Sequence, residues 1–255
     1  MRHFKREGEV LVMTEYHVSL KDLKMPDRIK RLPTDHRGFP VPKFVAWPNG
    51  EADHRVVNLD RVSPSVTRRQ CWICGEPMGR YYVSIIGCMC AVNRVISEPP
   101  SHLECAEFAV KACPFLARPH AHRRDTNMPE GHIAPPGFAL ARNPGVTCLW
   151  VSKEYPKPFQ AMAGKGGVLF SLGKPLQTIW YREGRLATRA EVHDAIMDGL
   201  PNLEAVAKAE DEQYRKQGRL SLVGAEKALA GQLAAVWALL PFGDAPVVQS
   251  AMTDR

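Results

Sequence analysis

The chain has 255 residues, with 45% hydrophobic and 24% charged residues, which is the balance of a globular protein able to bury a real core. This excludes a disordered tail, a collagen-like fibre and a disulfide-dense miniprotein. Lys and Arg number 34 against 27 Asp and Glu, for a formal charge of +7, and seven cysteines make an odd count. With no secretory signal in view, that count points to a reducing compartment, where clustered thiols hold metal more often than they form bridges.

The N-terminus opens basic, with Arg2, Lys5 and Arg6, but its apolar run over 10–13 is too short for a signal-peptide core. Nothing approaches the roughly 18–20 apolar residues of a spanning helix, because the best stretch, 228–240, is interrupted by Gly231 and Gln232. A soluble, cytoplasmic protein without a membrane partner is expected. Residues 1–50 carry 10 basic against 6 acidic side chains and residues 201–255 carry 6 against 7, so the excess charge leans toward the N-terminus. That bias hints at a polyanionic partner, although a merely solvated basic arm over 1–25 explains it as well.

Five prolines between positions 26 and 48 forbid a long helix there. Residues 44–47 and 55–59 read as short strands joined by a turn at Asn49-Gly50. Residues 117–137, polar and broken by prolines, read as a linker or exposed loop. Three β-branched or aromatic runs follow, over 146–152, 168–172 and 176–181, as in a small antiparallel sheet. Thr188 and Glu191 form a capping box for a helix over 190–198 that Gly199 and Pro201 should stop, with a second helix over about 202–216. Ser221 then caps a third, in which Leu222, Ala225, Leu229, Leu233, Val236 and Leu240 form an apolar stripe for a core or partner face.

The most informative segment is 71–113. Cys71-Trp72-Ile73-Cys74-Gly75 is a C-x-x-C with glycine directly after, the spacing of a zinc knuckle. A redox C-x-x-C needs its first thiol at a helix start, and Pro77 and Gly79 break any helix there. His102 begins 28 residues after Cys74, and Ser101 with Glu104 reads as a second capping box, so a helix should run from His102 to Cys113. His102 and Cys105 then share one face of its first turn, and the positive helix end favours a thiolate at Cys105. Between the pairs, 80–86 and 91–96 read as strands of a hairpin turning at 87–90.

Knuckle, hairpin and a helix supplying the last two ligands resembles a treble-clef zinc finger. Cys71, Cys74, His102 and Cys105 would close a structural Cys3His site around Zn2+. Cys88, Cys90 and Cys113 remain alternatives that could replace a ligand or form a second site, while Cys113 and Cys148 also read as small buried hydrophobes.

No catalytic signature stands out. Asp35-His36 offers the pair of an HNH nuclease, but it precedes the knuckle instead of following it, and an Asx turn explains Asp35. Residues 164–167 (Gly-Lys-Gly-Gly) lack the outer residues of a phosphate loop. His120, His122, Arg123 and Arg124 read as solvated linker side chains. Around the finger, Arg68, Arg69, Arg80 and Arg94 are candidates for phosphate contacts, with Trp72, Tyr81 and Tyr82 as exposed aromatics available to stack on bases.

The segments MPDRIKRLP, RGFPVPKFV, CWICGEPMGR, MCAVNR, EPPSHLECAEFAVKACPFL, ARNPGV and EGRLATRAEVHDAI resemble a group of bacterial and phage-encoded proteins without an assigned activity, over about residues 25–205. The resemblance implies a bacterial or phage cytoplasmic setting and one continuous unit over that span, and lends no catalytic residue. The expected architecture is α+β: a basic arm over 1–25, a zinc treble-clef-like module over 26–116, and a small antiparallel sheet with C-terminal helices over 138–255. The expected function is a zinc-stabilised, non-enzymatic binding protein for DNA, RNA or a nucleic-acid-handling complex. The alternatives are an HNH-like nuclease or other hydrolase, with a cleft between the modules gathering Asp35, His36 or His132, and an adaptor or inhibitor of a host or phage protein that docks on the 222–240 helix.

Overall fold

A computed structural model describes residues 2–7, 10–118, 121–122, 126–128, 145–160, 167–218 and 223–242, with backbone alone over 2–7 and 10–15. In chain order its elements are β1 (Arg2–Glu7), β2 (Val10–Glu15), α1 (Asp27–Lys30), β3 (Val45–Ala46), β4 (Asp53–Val57), α2 (Val62–Thr67), β5 (Tyr82–Gly87), α3 (Cys88–Asn93), β6 (Val95–Ile96), α4 (Leu103–Ala112) and α5 (Pro114–Ala117). The second half adds β7 (Thr147–Ser152), β8 (Lys157–Gln160), β9 (Val168–Ser171), β10 (Gln177–Arg182), β11 (Arg185–Leu186), α6 (Arg189–Lys216) and α7 (Ala225–Trp237). The fold is α+β.

The central sheet is antiparallel with strand order β11-β10-β7-β5. All six residues of β7 are buried, because both faces of the sheet are covered. Side chains alternate between those faces. Cys148 and Trp150 of β7 and Trp180 of β10 enter a cluster with α3, α6 and α7. Leu149 and Val151 of β7, Val83 of β5 and Tyr181 of β10 enter another with Ala106 and Val110 of α4. A separate three-stranded sheet, β6-β9-β8, delivers fully buried Phe170 to the first cluster. The β1–β2 and β3–β4 hairpins stand apart from both sheets, β1–β2 occupying the segment read as a basic arm.

Several expectations need correcting. The hairpin between 80–86 and 91–96 does not form: β5 pairs with β7 from Tyr82 opposite Ser152 to Gly87 opposite Thr147, and β6 pairs with β9. Residues 88–93 coil into α3, which buries Cys88, Met89, Ala91 and Val92. The β5–β7 pairing also joins the segment 26–116 to the segment 138–255 in one sheet, so the two are not separate packing units. Gly199 and Pro201 do not stop a helix, and α6 runs through both over 28 residues. Gly199 instead marks a close approach to α3, where a Cβ would meet Met89 Sδ at 2.7 Å. Pro201 forfeits one intrahelical bond without ending the helix.

Thr188 and Glu191 form the expected capping box, whereas Ser101 does not cap α4. Its backbone pairs with Val83, His102 becomes the N-cap residue without a side-chain cap, and the Glu104 carboxylate turns to Arg28. Ser221 and Leu222 lie outside the described residues. The N-terminus of α7 is capped from α6, where Asp211 Oδ1 accepts from Ala225 N at 2.6 Å and Oδ2 from Glu226 N at 3.1 Å. The α7 stripe is core: Leu229, Val236 and Leu240 are buried, with Ala225 and Leu233 packed beside them.

Candidate metal centre

The knuckle folds because its backbone bonds close locally. Cys71 N donates to Glu76 O at 2.8 Å, Gly75 N donates to Cys71 O at 2.8 Å, and Gly75 takes φ +75. That left-handed conformation suits glycine, and a Cβ there would also sit 2.8 Å from Lys43 Cγ. Met78 N reaches back to Arg69 O at 3.0 Å, so the chain entering the loop lies beside the chain leaving it. On the other side, the pairing of Ser101 with Val83 fixes the approach of α4, whose outer face is anchored on the central sheet through Ala106 and Val110.

Together these elements bring the sulfurs of Cys71, Cys74 and Cys105 and a ring nitrogen of His102 within 4.8 Å of one another, and all four residues are buried. Cys71 Sγ accepts from the backbone N–H of Cys74 at 3.5 Å and of His102 at 3.4 Å. His102 Nδ1 lies 3.4 Å from Cys74 Sγ and 3.9 Å from Cys105 Sγ. Edges of about 3.5–3.8 Å are what a tetrahedron requires when metal–sulfur bonds are about 2.3 Å and metal–nitrogen bonds about 2.0–2.1 Å. The four groups could therefore hold a metal ion with little rearrangement.

The electrostatics agree. Burial opposes a thiolate at Cys71, but hydrogen bonds from Cys105, Cys74 and His102 outweigh it and hold that thiol well below its ordinary range. Cys105 moves far in the opposite direction, because its proton bridges to Cys71 and Cys74 and because it is buried. At His102 burial disfavours the charged ring, but the Cys71 and Cys74 sulfurs raise its pKa to about 10. Left to themselves, four such groups share protons. A cation held by these four residues would take over the protons' role.

With Nδ1 turned inward, His102 Nε2 lies 3.0 Å from Pro77 O, the kind of outer contact that fixes a ligating imidazole when Nε2 carries the ring hydrogen. Arg28 of α1 closes the outside: Nη1 approaches Nε2 at 2.6 Å and Nε pairs with Glu104 Oε1 at 2.6 Å. Next to it, Arg31 Nη2 pairs with Glu76 Oε1 at 2.5 Å. The sequence carries no signal for these partners, since Arg28 and His102 stand 74 residues apart.

Cys88, Cys90 and Cys113 do not join the cluster. Cys88 and Cys148 are buried in the core with α6 and α7, Cys90 packs against it, and burial raises the thiol pKa of Cys88 to about 12 and of Cys90 to about 11. Asp35 is buried and His36 exposed, so these neighbours form no pair. Asp35 instead accepts from the backbone of Arg37 and Phe39, each at 2.9 Å, making the expected Asx turn in a buried setting. It also pairs with Arg37 at 2.7 Å and with His54 at 3.3 Å. His120, Arg123, Arg124, His132 and residues 164–166 lie outside the described residues, and His122 is exposed.

Of the arginines around the knuckle, Arg68, Arg69 and Arg80 are exposed. Arg69 donates to Tyr82 OH at 3.2 Å. Arg94 is half-buried, holds φ +58 at the end of α3 and lies over the Trp150 ring at 5.3 Å, so it is engaged structurally. The expected stacking platform is absent: Trp72 is buried against Phe44 with ring centroids 5.2 Å apart, Tyr82 is buried beside Tyr155, and Tyr81 is half-buried. Among the described residues no helix is long and apolar enough to cross a membrane. In comparisons of the chain with family models, curated proteins and solved structures, nothing matches.

Proposed function

We propose that the chain is a zinc-stabilised, non-enzymatic binding protein of bacterial or phage origin, and that its partner is the phosphate backbone of a nucleic acid. The reading rests on the buried Cys3His cluster. Three soft sulfur donors and one imidazole at tetrahedral spacing favour zinc, and four protein ligands leave no position open for water or substrate. The metal's role is then to hold a surface in shape.

That surface is the base of the knuckle. Arg68 and Arg69 precede the loop and Arg80 follows it, and the Met78–Arg69 backbone bond brings the two ends side by side. Three cations on a rigid turn suit successive phosphates, and the burial of Trp72 and Tyr82 favours backbone contact over base stacking. Fluorescence anisotropy with labelled DNA and RNA at increasing salt tests this. Three phosphate contacts give a slope of log K against log[salt] of about −3, and R68Q/R80Q reduces it by about 2. Absence of binding at low salt, or binding insensitive to salt, refutes the nucleic-acid part.

A further inference from the structure

We infer that metal occupancy controls whether residues 16–44 are docked on the rest of the protein; the inference rests on the zinc reading of the Cys3His cluster. This segment brings Leu20, Ile29, Leu32 and Phe39 into a hydrophobic cluster distinct from the two that cover the central sheet. The buried partners of those four are the ligands Cys71, Cys74 and Cys105 together with Ile73 and Phe108. The metal ligands thus form much of the floor on which the segment sits, with Phe108 and Ala109 of α4 and Ile85 of β5 completing it.

Two polar contacts join the segment to the β3–β4 hairpin, Asp35 with His54 and Phe44 O with Asn58 N, and several others land on the ligands' own stretches. Arg28 pairs with Glu104 in the first turn of α4, Arg31 pairs with Glu76 of the knuckle, and Lys43 N donates to Ile73 O at 2.8 Å. Phe44 stacks on Trp72 between the two knuckle cysteines. Glu104, Glu76, Ile73 and Trp72 all lie in 71–76 or 102–105, the two stretches that the metal ties together.

The remainder has its own support. Ala106 and Val110 hold α4 to the central sheet in a cluster that contains none of the ligands, and neither does the cluster under α6 and α7. Removal of the metal therefore frees the knuckle from α4, opens the floor and releases residues 16–44, while the sheet and its helices stay folded. This is local opening of a low-stability unit. By linkage, a substitution that loosens the segment also weakens metal binding.

Hydrogen–deuterium exchange on the full chain, before and after incubation with 1,10-phenanthroline and with zinc measured on the same samples, tests this. The expected result is at least tenfold faster exchange at Phe39, Val41, Lys43, Cys71 and Gly75 after chelation, with Leu149, Trp150, Ile179 and Val192 changed less than threefold. Ile29→Ala, which alters no ligand, should lower zinc affinity about tenfold or more. Zinc loss without faster exchange in 39–75, or equal acceleration everywhere, overturns the switch and leaves the zinc reading standing. A chain that carries no zinc at the outset overturns both.

Discussion

Replacing Leu149 by Ala separates a one-sheet protein from a two-module one. Leu149 is fully buried at the centre of β7, in a cluster whose other members include Val83, Ala106 and Val110 from the N-terminal half and Val151 and Tyr181 from the C-terminal half. Deleting three buried carbon groups at about 0.8 kcal/mol each removes about 2.4 kcal/mol of transfer free energy. β7 is pinned by ladders to β5 on one side and β10 on the other, so the site collapses poorly and the residual cavity raises the cost to about 3–4 kcal/mol. For a chain of this size that lowers the melting temperature by about 6–16 °C. Thermal unfolding should be followed by tryptophan fluorescence in a Trp72→Phe background, which removes the reporter from the knuckle and keeps the buried Trp150 and Trp180, and in parallel by thiol labelling of Cys71, Cys74 and Cys105. Both transitions should fall together, because α4 and its N-cap carry Cys105 and His102, two of the four clustered residues, and α4 packs in the same cluster as Leu149. A fluorescence transition that drops while thiol exposure stays at its original temperature would refute the shared core.

Other substitutions probe individual contacts. Asp211→Ala removes both acceptors that cap α7 from α6, and chemical denaturation should show a lower midpoint. Glu191 is held at a pKa of about 2 by its hydrogen bonds with Arg185 and by the backbone of Thr188. Because its folded pKa is depressed, its contribution is fully present above the ordinary value of 4.5 and fades as pH falls toward 2. Glu191→Gln should therefore cost about 0.5–1 kcal/mol at pH 7 and progressively less in denaturation curves recorded from pH 4.5 to pH 2. Trp72 Nε1 is buried with no hydrogen-bond partner among the described residues, so Trp72→Phe, which keeps the stack on Phe44, should change stability by less than about 1.5 kcal/mol.

Local chemistry was legible in the sequence and long-range pairing was not. The C-x-x-C-Gly spacing and the His102–Cys105 pair at a helix start are short-range patterns, and the structure places those four residues together. The Asn49-Gly50 turn and the Thr188–Glu191 capping box are equally local, and both form. The hairpin expected over 80–96 failed for a reason no local pattern carries: β5 finds its partner in β7, about 65 residues away, which leaves 88–93 free to coil against α6. Ser101 and Gly199 failed similarly. Each residue type carries its usual meaning in isolation, but Ser101 is claimed by a backbone pairing with Val83 and Gly199 by the close approach of Met89. The Arg28, Glu104 and Pro77 contacts around His102 arise only from tertiary placement.

The central claim, a structural Cys3His zinc centre, is tested most directly by zinc-edge X-ray absorption on the purified chain together with its metal content. One zinc per chain with three sulfur neighbours at about 2.3 Å and one nitrogen at about 2.0–2.1 Å is the expected result. A folded, zinc-free protein with an intact near-ultraviolet spectrum, or a shell with oxygen replacing one of the four ligands, would contradict it.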